Sequence, residues 1–282
     1  MARIVDSNNL PWQNGLDVVN AMAPEWRANL GPADLVAETY AKYDQKTLRL
    51  DPDTTRRLDL IRLAPGYRDL TYAYHDSVEE CFCLSGSSWL GGEGTIFERG
   101  YFWRPPGWVH TATSDEGFFA LLNIQGVCDE SGPASRRVRP EAEAGTCATA
   151  NDPDAAIGPR GFIKMLDSRL VPWQPGPIFS RTEGPLDGFD LDHIAFKVLS
   201  KNPWTGAQSL LLRLDPGYRQ QRPGRQSAGF EAFVVEGSAR LGDVPLPAGA
   251  YVQREADTEE PPLASEDGAI LFAKADGWLD FR

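Results

Sequence analysis

Three side chains of metal-ligating types lie in two short segments of the first half of the sequence. His75 and Glu79 are four residues apart, and His110 ends a later segment that contains a Pro-Pro-Gly turn. Two imidazoles and one carboxylate that converge from neighbouring strands form a facial set with open coordination positions. Such a set suits Fe(II), Mn(II), Zn(II) or Ni(II), and a substrate or water can join the ion. His75, Glu79 and His110 are therefore candidates to hold one divalent metal ion.

Other polar side chains near this set are candidates for the chemistry itself. Glu80, or a tyrosine such as Tyr74, could move a proton to or from a substrate. Arg104 could pair with a substrate carboxylate, and a solvated surface arginine is the equal alternative. We predict Glu80, Tyr74 and Arg104 as catalytic residues. The remaining histidine, His193, matches no ligand pattern and is predicted to be structural.

Cys81 allows two interpretations. It has the same strand parity as Glu79, so its thiol could point toward the metal set, where a thiolate would favour zinc. Alternatively it is a small core residue, and the burial habits of free cysteine favour this second interpretation.

Short strands, rather than long helices, are predicted to position these residues. Apolar residues alternate or run in short bursts, as at 58–63, 81–84 and 269–273, and Pro-Gly or Gly-Gly pairs interrupt them. Short strands punctuated in this way are typical of an all-β sandwich or barrel. Only residues 16–43 have a weak helical pattern, which indicates either a helix or an ordered arm.

The sequence contains an internal duplication. Residues 61–68, IRLAPGYR, return as LRLDPGYR at 212–219, an offset of 212 − 61 = 151. A second pair of segments, 5–13 and 166–174, shares Asp-Ser followed by Pro-Trp-Gln. Several matches in the same order indicate that one unit was duplicated.

The duplication divides the chain into two domains of ordinary size. Residues 128–160 between the copies are polar and contain few side chains that could join a core, which is typical of a connection. We predict an N-terminal domain at 1–127 with the metal site, this connection, and a C-terminal domain at 161–282.

The segments around the predicted ligands resemble the two motifs of the cupin superfamily. Cupins carry two histidines one residue apart, then a glutamate and a glycine, and His75, Glu79 and Gly86 match all but the first histidine. The second cupin motif ends in Pro-x-Gly-x-x-His, which residues 105–110 match. The segments EECFCLSG and RPPGWVH look most like the cupins of bacterial zinc anti-sigma factors, and the duplication resembles a bacterial bicupin family. The resemblance implies an all-β fold of two double-stranded β-helix (jelly-roll) barrels with few short helices.

The sequence departs from the cupin pattern at one ligand position. Ala73 stands where the first histidine of the first motif would be. The site could therefore bind metal with three ligands, recruit a fourth from elsewhere, or have lost metal.

The second copy lacks the ligand set altogether. Phe230 stands at the position of Glu79, and Gln226 at that of His75. The region where a second-motif histidine would recur contains only acidic candidates, Glu255, Asp257 and Glu259. We predict that this barrel is metal-free and serves as a packing partner, a lid or a dimer surface.

Composition limits the partners and the location. The net charge of −12 repels phosphate backbones, so nucleic acid is not an expected partner. No apolar run approaches the length of a membrane span, and the first residues do not resemble a signal peptide. We therefore expect a cytoplasmic protein with a small-molecule substrate, which could form a homodimer. Its four cysteines, Cys81, Cys83, Cys128 and Cys147, are expected to be reduced thiols.

The resemblance implies several functions. The first is a metal-dependent enzyme acting on a small organic substrate, and a non-haem dioxygenase or oxygenase is preferred. The alternatives are an isomerase or lyase that uses the metal as a Lewis acid, and a non-catalytic sensor of metal or ligand. A metal-free cupin that works by acid–base chemistry alone remains open because of Ala73.

Overall fold

Antiparallel β-strands dominate the part of the chain that the computed structural model describes, namely residues 2–54, 56–70, 72–75, 77–125, 135–137, 160–175 and 190–278. The first thirteen strands are β1 (Arg3–Asp6), β2 (Gln13–Asn14), β3 (Tyr43–Leu50), β4 (Arg57–Leu63), β5 (Tyr67–Arg68), β6 (Ala73–His75), β7 (Glu79–Leu90), β8 (Gly94–Phe97), β9 (Gly100–Arg104), β10 (Ala112–Ser114), β11 (Phe118–Ile124), β12 (Ser135–Arg137) and β13 (Ile163–Asp167). The remaining strands are β14 (Gln174–Pro175), β15 (Ile194–Lys201), β16 (Gln208–Leu214), β17 (Gly224–Arg225), β18 (Phe230–Leu241), β19 (Val244–Pro247), β20 (Ala250–Arg254), β21 (Glu259–Glu260), β22 (Leu263–Ala264) and β23 (Ala269–Ala275).

Short helices occupy the segment that has the weak helical pattern. They are the α-helices α1 (Gly15–Ala21), α2 (Pro24–Arg27) and α3 (Ala33–Tyr40) and the 3-10 helix Ala28–Leu30. Two further 3-10 helices, Ser7–Asn9 and Leu191–His193, lie outside this segment. Val19, Leu30 and Val36 pack together in a small cluster of their own. This segment is therefore helical up to Tyr40, and strand β3 begins at Tyr43. None of the helices in the described part of the chain has the length and apolarity to cross a membrane.

The main sheets of the two halves have the same strand order. One sheet runs β13-β9-β7-β11-β4-β3-β2, and the other runs β1-β20-β18-β23-β16-β15-β14. The long strand in each sheet, β7 or β18, also pairs with a short following strand, β8 or β19. The equivalence of β4 with β16, and of β7 with β18, matches the offset of 151 in the sequence. The predicted all-β fold of duplicated jelly-roll type is confirmed.

Alternation along the strands decides which side chains face each core. In the N-terminal half, Ile61, Leu63, Cys81, Cys83 and Phe102 belong to one apolar cluster. Successive side chains of a strand point to opposite faces, so residues of the same parity on β4, β7 and β9 share this interior. The corresponding cluster of the C-terminal half includes Leu212, Leu214, Ala232, Val234 and Val252.

Two glycines show how closely the halves repeat one another. Gly86 and Gly237 have φ angles of 76° and 71°. A Cβ atom would lie 2.2 Å from the carbonyl oxygen of Gly117 in the first case and 2.1 Å from that of Gly268 in the second. Each position needs glycine, both for the left-handed backbone and for the close approach of the neighbouring loop.

An exchange of edge strands defines the two compact units. They consist of residues 11–167, and of residues 1–10 with 168–282. Strand β1 pairs with β20 of the C-terminal unit, with Val5 opposite Tyr251, and β13 pairs with β9 of the N-terminal unit, with Leu166 opposite Tyr101. The units thus differ from the domains expected at 1–127 and 161–282, because the first strand of each copy joins the sheet of the other copy. The expected connection at 128–160 falls almost entirely outside the described residues.

Candidate metal centre

The two motif segments meet through backbone hydrogen bonds. Ala73 and His110 each donate a backbone N–H to the other's carbonyl oxygen, over 3.0 and 2.8 Å. Gly107, in the turn before His110, donates its backbone N–H to the carbonyl oxygen of His75 over 2.8 Å. Glu79 begins β7 and has the parity of Cys81 and the apolar interior. The fold therefore directs the three predicted ligands into one place.

His75, Glu79 and His110 form a cluster whose ligand atoms all lie within 4.8 Å of one another. The distance from His75 Nε2 to Glu79 Oε1 is 3.6 Å, and that from His110 Nε2 to Glu79 Oε2 is also 3.6 Å. The imidazole rings stack with their centroids 5.2 Å apart. Glu79 and His110 are buried and His75 is partly buried, so the cluster is shielded from most of the solvent.

His110 is held in the form that a metal ligand requires. Its Nδ1 lies 3.1 Å from the carbonyl oxygen of Trp108, so Nδ1 carries the proton that it donates and Nε2 keeps its lone pair toward Glu79. Burial lowers the pKa of His110 to about 3, although the negative charge of Glu79 opposes this shift. The imidazole is therefore neutral at pH 7, and its Nε2 can donate a lone pair to a cation.

Arg104 is buried between two carboxylates. Its Nη1 donates to Glu79 Oε2 over 2.6 Å, and its Nε donates to Glu93 Oε1 over 2.9 Å. Burial by itself would raise the pKa of Glu79, but the positive charge of Arg104 is the main opposing cause, and that pKa lies well below its usual range. Arg104 is thus not a solvated surface residue, and the two carboxylates take its Nε and Nη1, while its buried Nη2 has no hydrogen-bond partner among the described residues. It fixes Glu79 in its ionised form.

Glu80 lies on the opposite face of β7 from the metal cluster. Its Oε1 accepts a hydrogen bond of 2.8 Å from the hydroxyl of Tyr101. The C-terminal unit contains the same pair, with the hydroxyl of Tyr251 2.6 Å from Glu231 Oε2. Because the unit that lacks the two predicted ligand histidines repeats this buried pair, the pair stabilises the sheet, and the structure does not bring Glu80 to the site.

We expect Glu80→Gln and the matched variant Glu231→Gln to behave alike. Each weakens a charge-assisted hydrogen bond to a buried tyrosine and should lower the free energy of unfolding by about 1–3 kcal/mol. Chemical denaturation measures this loss, and the metal content of both variants should equal that of the wild type. Loss of metal in Glu80→Gln alone would restore Glu80 to the site.

Tyr74, Ala73 and His193 lie in three different environments. Tyr74 is half-buried beside His75 on β6, and strand alternation sends the two side chains to opposite sides. Ala73 is buried opposite His110, so it leaves the cluster with three ligands among the described residues. His193 is exposed and bonded to Asp190, as expected for a structural histidine.

The two described cysteines are buried free thiols. Cys81 belongs to the apolar cluster, and burial raises its pKa well above the usual value, so it remains a protonated core residue. The prediction of reduced thiols at Cys128 and Cys147 falls outside the described residues.

The sequence interpretation missed a polar group inside the N-terminal unit. Arg57 donates to Asp59 Oδ2 over 2.5 Å and to Gln45 Oε1 over 3.2 Å. The charges of Arg57, Asp59 and Glu79 all act on the hydroxyl of Tyr43, which places the group near the metal cluster. The parity of Arg57 and Asp59 with the interior residues of β4 was the signal that could have revealed them.

Comparisons with known proteins support the fold. A family model described as a domain of unknown function, DUF4437, matches residues 99–282. No curated protein matches the sequence. Among solved structures, a Nostoc punctiforme protein provisionally described as a dioxygenase is 18% identical with a TM-score of 0.72, covering 98% of this chain and 83% of its own.

Two further structures have a similar fold. Protein YlbA of E. coli is 12% identical with a TM-score of 0.56, over 97% of this chain and 90% of its own. Oxalate decarboxylase of Bacillus subtilis is 14% identical with a TM-score of 0.51, over 85% of this chain and 73% of its own. These structural neighbours are cupin-type proteins, and at such identities the likeness shows the fold alone.

Proposed function

Since the chain belongs to the DUF4437 family and has the cupin fold, we propose that it is a metal-dependent enzyme acting on a small organic substrate. The cluster of His75, Glu79 and His110 would hold one divalent ion. The observation that carries the proposal is the convergence of two imidazole Nε2 atoms on one ionised, buried carboxylate. We further propose that the reaction is an oxygenation.

The donor set fits a divalent ion. Ligand atoms that share one ion at about 2.1 Å lie about 3.0–3.5 Å apart. The 3.6 Å between His75 Nε2 and Glu79 Oε1 needs only a small contraction to reach this range, and all the ligand atoms already lie within 4.8 Å of one another. Arg104 occupies Glu79 Oε2 and leaves Oε1, on the side of His75, for a cation. The set has no thiolate, so it suits Fe(II), Mn(II), Ni(II) or Zn(II).

The residues around the cluster have separate roles in this proposal. A bound ion would supply a Lewis acid and, in the case of Fe(II), an electron donor to O2. The apolar interior, including Phe102 and Ile61, excludes water from the reacting groups. Arg57, which is bonded to Asp59 and has a one-third exposed side chain, is a cation that a substrate carboxylate can reach. Asp59 Oδ1 is buried without a hydrogen-bond partner among the described residues and can accept a substrate hydroxyl.

Elemental analysis tests the proposal. Protein purified without a histidine tag should bind about one ion per chain after reconstitution with each of the four metals in turn. His110→Ala should lose this ion, because the remaining two ligands hold it weakly. His193→Ala is the matched control, since His193 is exposed in the other unit and should leave the content unchanged.

Oxygen consumption then separates the reaction types. Uptake of O2 by the Fe(II) protein with small organic acids, lost in His110→Ala, would support an oxygenase. A bound metal without O2 uptake would point instead to Lewis-acid or sensory use. Absence of metal under all four conditions would contradict the metalloenzyme proposal.

A further inference from the structure

Arg254 is the counterpart of Arg104 in the C-terminal unit. Each arginine ends its strand, and Arg254 has the parity of Ala250 and Val252, which belong to the interior cluster. The guanidinium of Arg254 lies 4.7 Å from the ring centroid of Phe230. Phe230 stands where Glu79 stands in the other unit, so the C-terminal barrel has an apolar ring in place of the carboxylate that holds Arg104.

The second carboxylate partner is missing as well. The position of Glu93 corresponds to Asp243, which is exposed. Within the described part of the chain, no carboxylate lies within 4.0 Å of the Arg254 guanidinium, whereas Arg104 has two such neighbours. Arg254 therefore faces the interior of its barrel without either of the two carboxylate partners that Arg104 has.

Further polar groups inside the same unit have unused bonding capacity. The hydroxyl of Tyr218 is fully buried and has no hydrogen-bond partner among the described residues. Glu260 is 2% exposed, and its Oε2 accepts the backbone N–H of Ala2 over 3.3 Å while its Oε1 has no described partner. Gln226 Oε1 is also buried without a hydrogen-bond partner among the described residues. Buried polar atoms normally have hydrogen-bond partners, so these three atoms indicate that a bound molecule supplies the missing bonds.

The register places these groups together. Glu260 lies opposite Gly224, as His110 lies opposite Ala73, so Glu260 and Gln226 occupy the places of the two metal-ligating histidines. Tyr218 packs in the interior cluster, and the charge of Glu260 and the neutral hydroxyl of Tyr218 both lie near enough to influence Arg254. A cation and a carboxylate thus face one interior without touching each other.

We propose that the C-terminal barrel is a second, metal-free binding site for a small α-amino acid. The ligand carboxylate pairs with the Arg254 guanidinium and accepts a hydrogen bond from the Tyr218 hydroxyl. The ligand ammonium donates to Glu260 Oε1 and Gln226 Oε1. A zwitterion matches both charges of the site at once, whereas a metal cation would lie beside the positive charge of Arg254 with two oxygen ligands and no imidazole.

Calorimetric titration of the full chain with glycine and the other common amino acids, in the presence of a chelator, tests this site. At least one amino acid should saturate one site per chain. Its N-acetyl derivative, which lacks the ammonium, and its decarboxylated amine should each bind about tenfold more weakly or worse.

Variants locate the binding. Tyr218→Phe removes a hydroxyl that has no described partner, so it should leave the thermal stability of the free protein unchanged while it weakens binding about tenfold. Tyr67→Phe, the same change at the matching position of the N-terminal unit, should not weaken binding. Arg254→Gln should abolish binding, and His110→Ala should retain it.

Four results would overturn the proposal. They are the failure of every amino acid to bind, retained binding in both Arg254→Gln and Tyr218→Phe, loss of binding in His110→Ala, and a marked loss of free-protein stability in Tyr218→Phe. The last result would mean that ordered water alone completes the site.

Discussion

Replacement of Arg104 by glutamine is expected to lower the free energy of unfolding of the metal-free protein by about 3–5 kcal/mol. The change leaves Glu79 and Glu93 buried in a barrel interior without the cation that both contact. An uncompensated buried charge is far more costly than a broken surface ion pair. Urea denaturation at neutral pH, with a chelator present, measures the loss.

The matched control is Arg254→Gln. Arg254 occupies the equivalent strand position but has no carboxylate within ion-pair distance in the described structure, so its loss should cost about 1 kcal/mol or less. A divalent ion should restore part of the stability of Arg104→Gln, because it supplies positive charge beside Glu79. Equal losses in the two arginine variants would contradict the role assigned to Arg104.

Acidification of the metal-free protein from pH 6.5 toward pH 3 is expected to reduce its stability by several kcal/mol. The pKa of His110 is about 3 in the folded protein and 6.5 in an exposed chain, because burial disfavours the charged imidazolium. Between these values the unfolded chain binds a proton that the folded protein does not. The stabilisation is therefore complete above pH 6.5 and declines as pH falls, by about 1.4 kcal/mol per pH unit.

Variants distinguish His110 from the carboxylates. The pKa of Glu79 is also lowered in the folded protein, so it adds a loss of the same sign, but only at more acidic pH. His110→Gln should therefore flatten the stability curve between pH 6.5 and pH 4.5. His193→Gln should leave this slope unchanged. The hydrogen bond to Asp190 raises the pKa of His193, so the stabilisation by His193 is lost as pH rises and not as it falls. If the free energy of unfolding had the same pH dependence in the wild type and in His110→Gln, the role assigned to His110 would be wrong.

The sequence allowed the fold and the ligand cluster to be predicted because both depend on local patterns. Repeated segments fix the duplication, short apolar bursts indicate strands, and the spacing of His75, Glu79 and His110 identifies the cluster.

Features that depend on pairing between distant segments were harder to predict. The partner of Arg104 in the turn before β8, Glu93, belongs to neither motif. The assignment of Glu80 to catalysis overlooked that adjacent residues of a strand face opposite ways. The repeat did not reveal the exchange of β1 and β13, because the offset of 161 at Pro11 and Pro172 also holds for β2 and β14, which pair within their own units.

That exchange of strands has a consequence for biosynthesis. Strand β1 leaves the ribosome well before its partner β20, which is made about 245 residues later, since Val5 pairs with Tyr251. At ordinary rates of translation this delay is roughly ten to fifty seconds. During that interval the nascent strand carries unpaired backbone groups that other chains could pair with. The sheet of the C-terminal barrel is therefore complete only after it pairs with a segment that was synthesised about 245 residues before its partner strand.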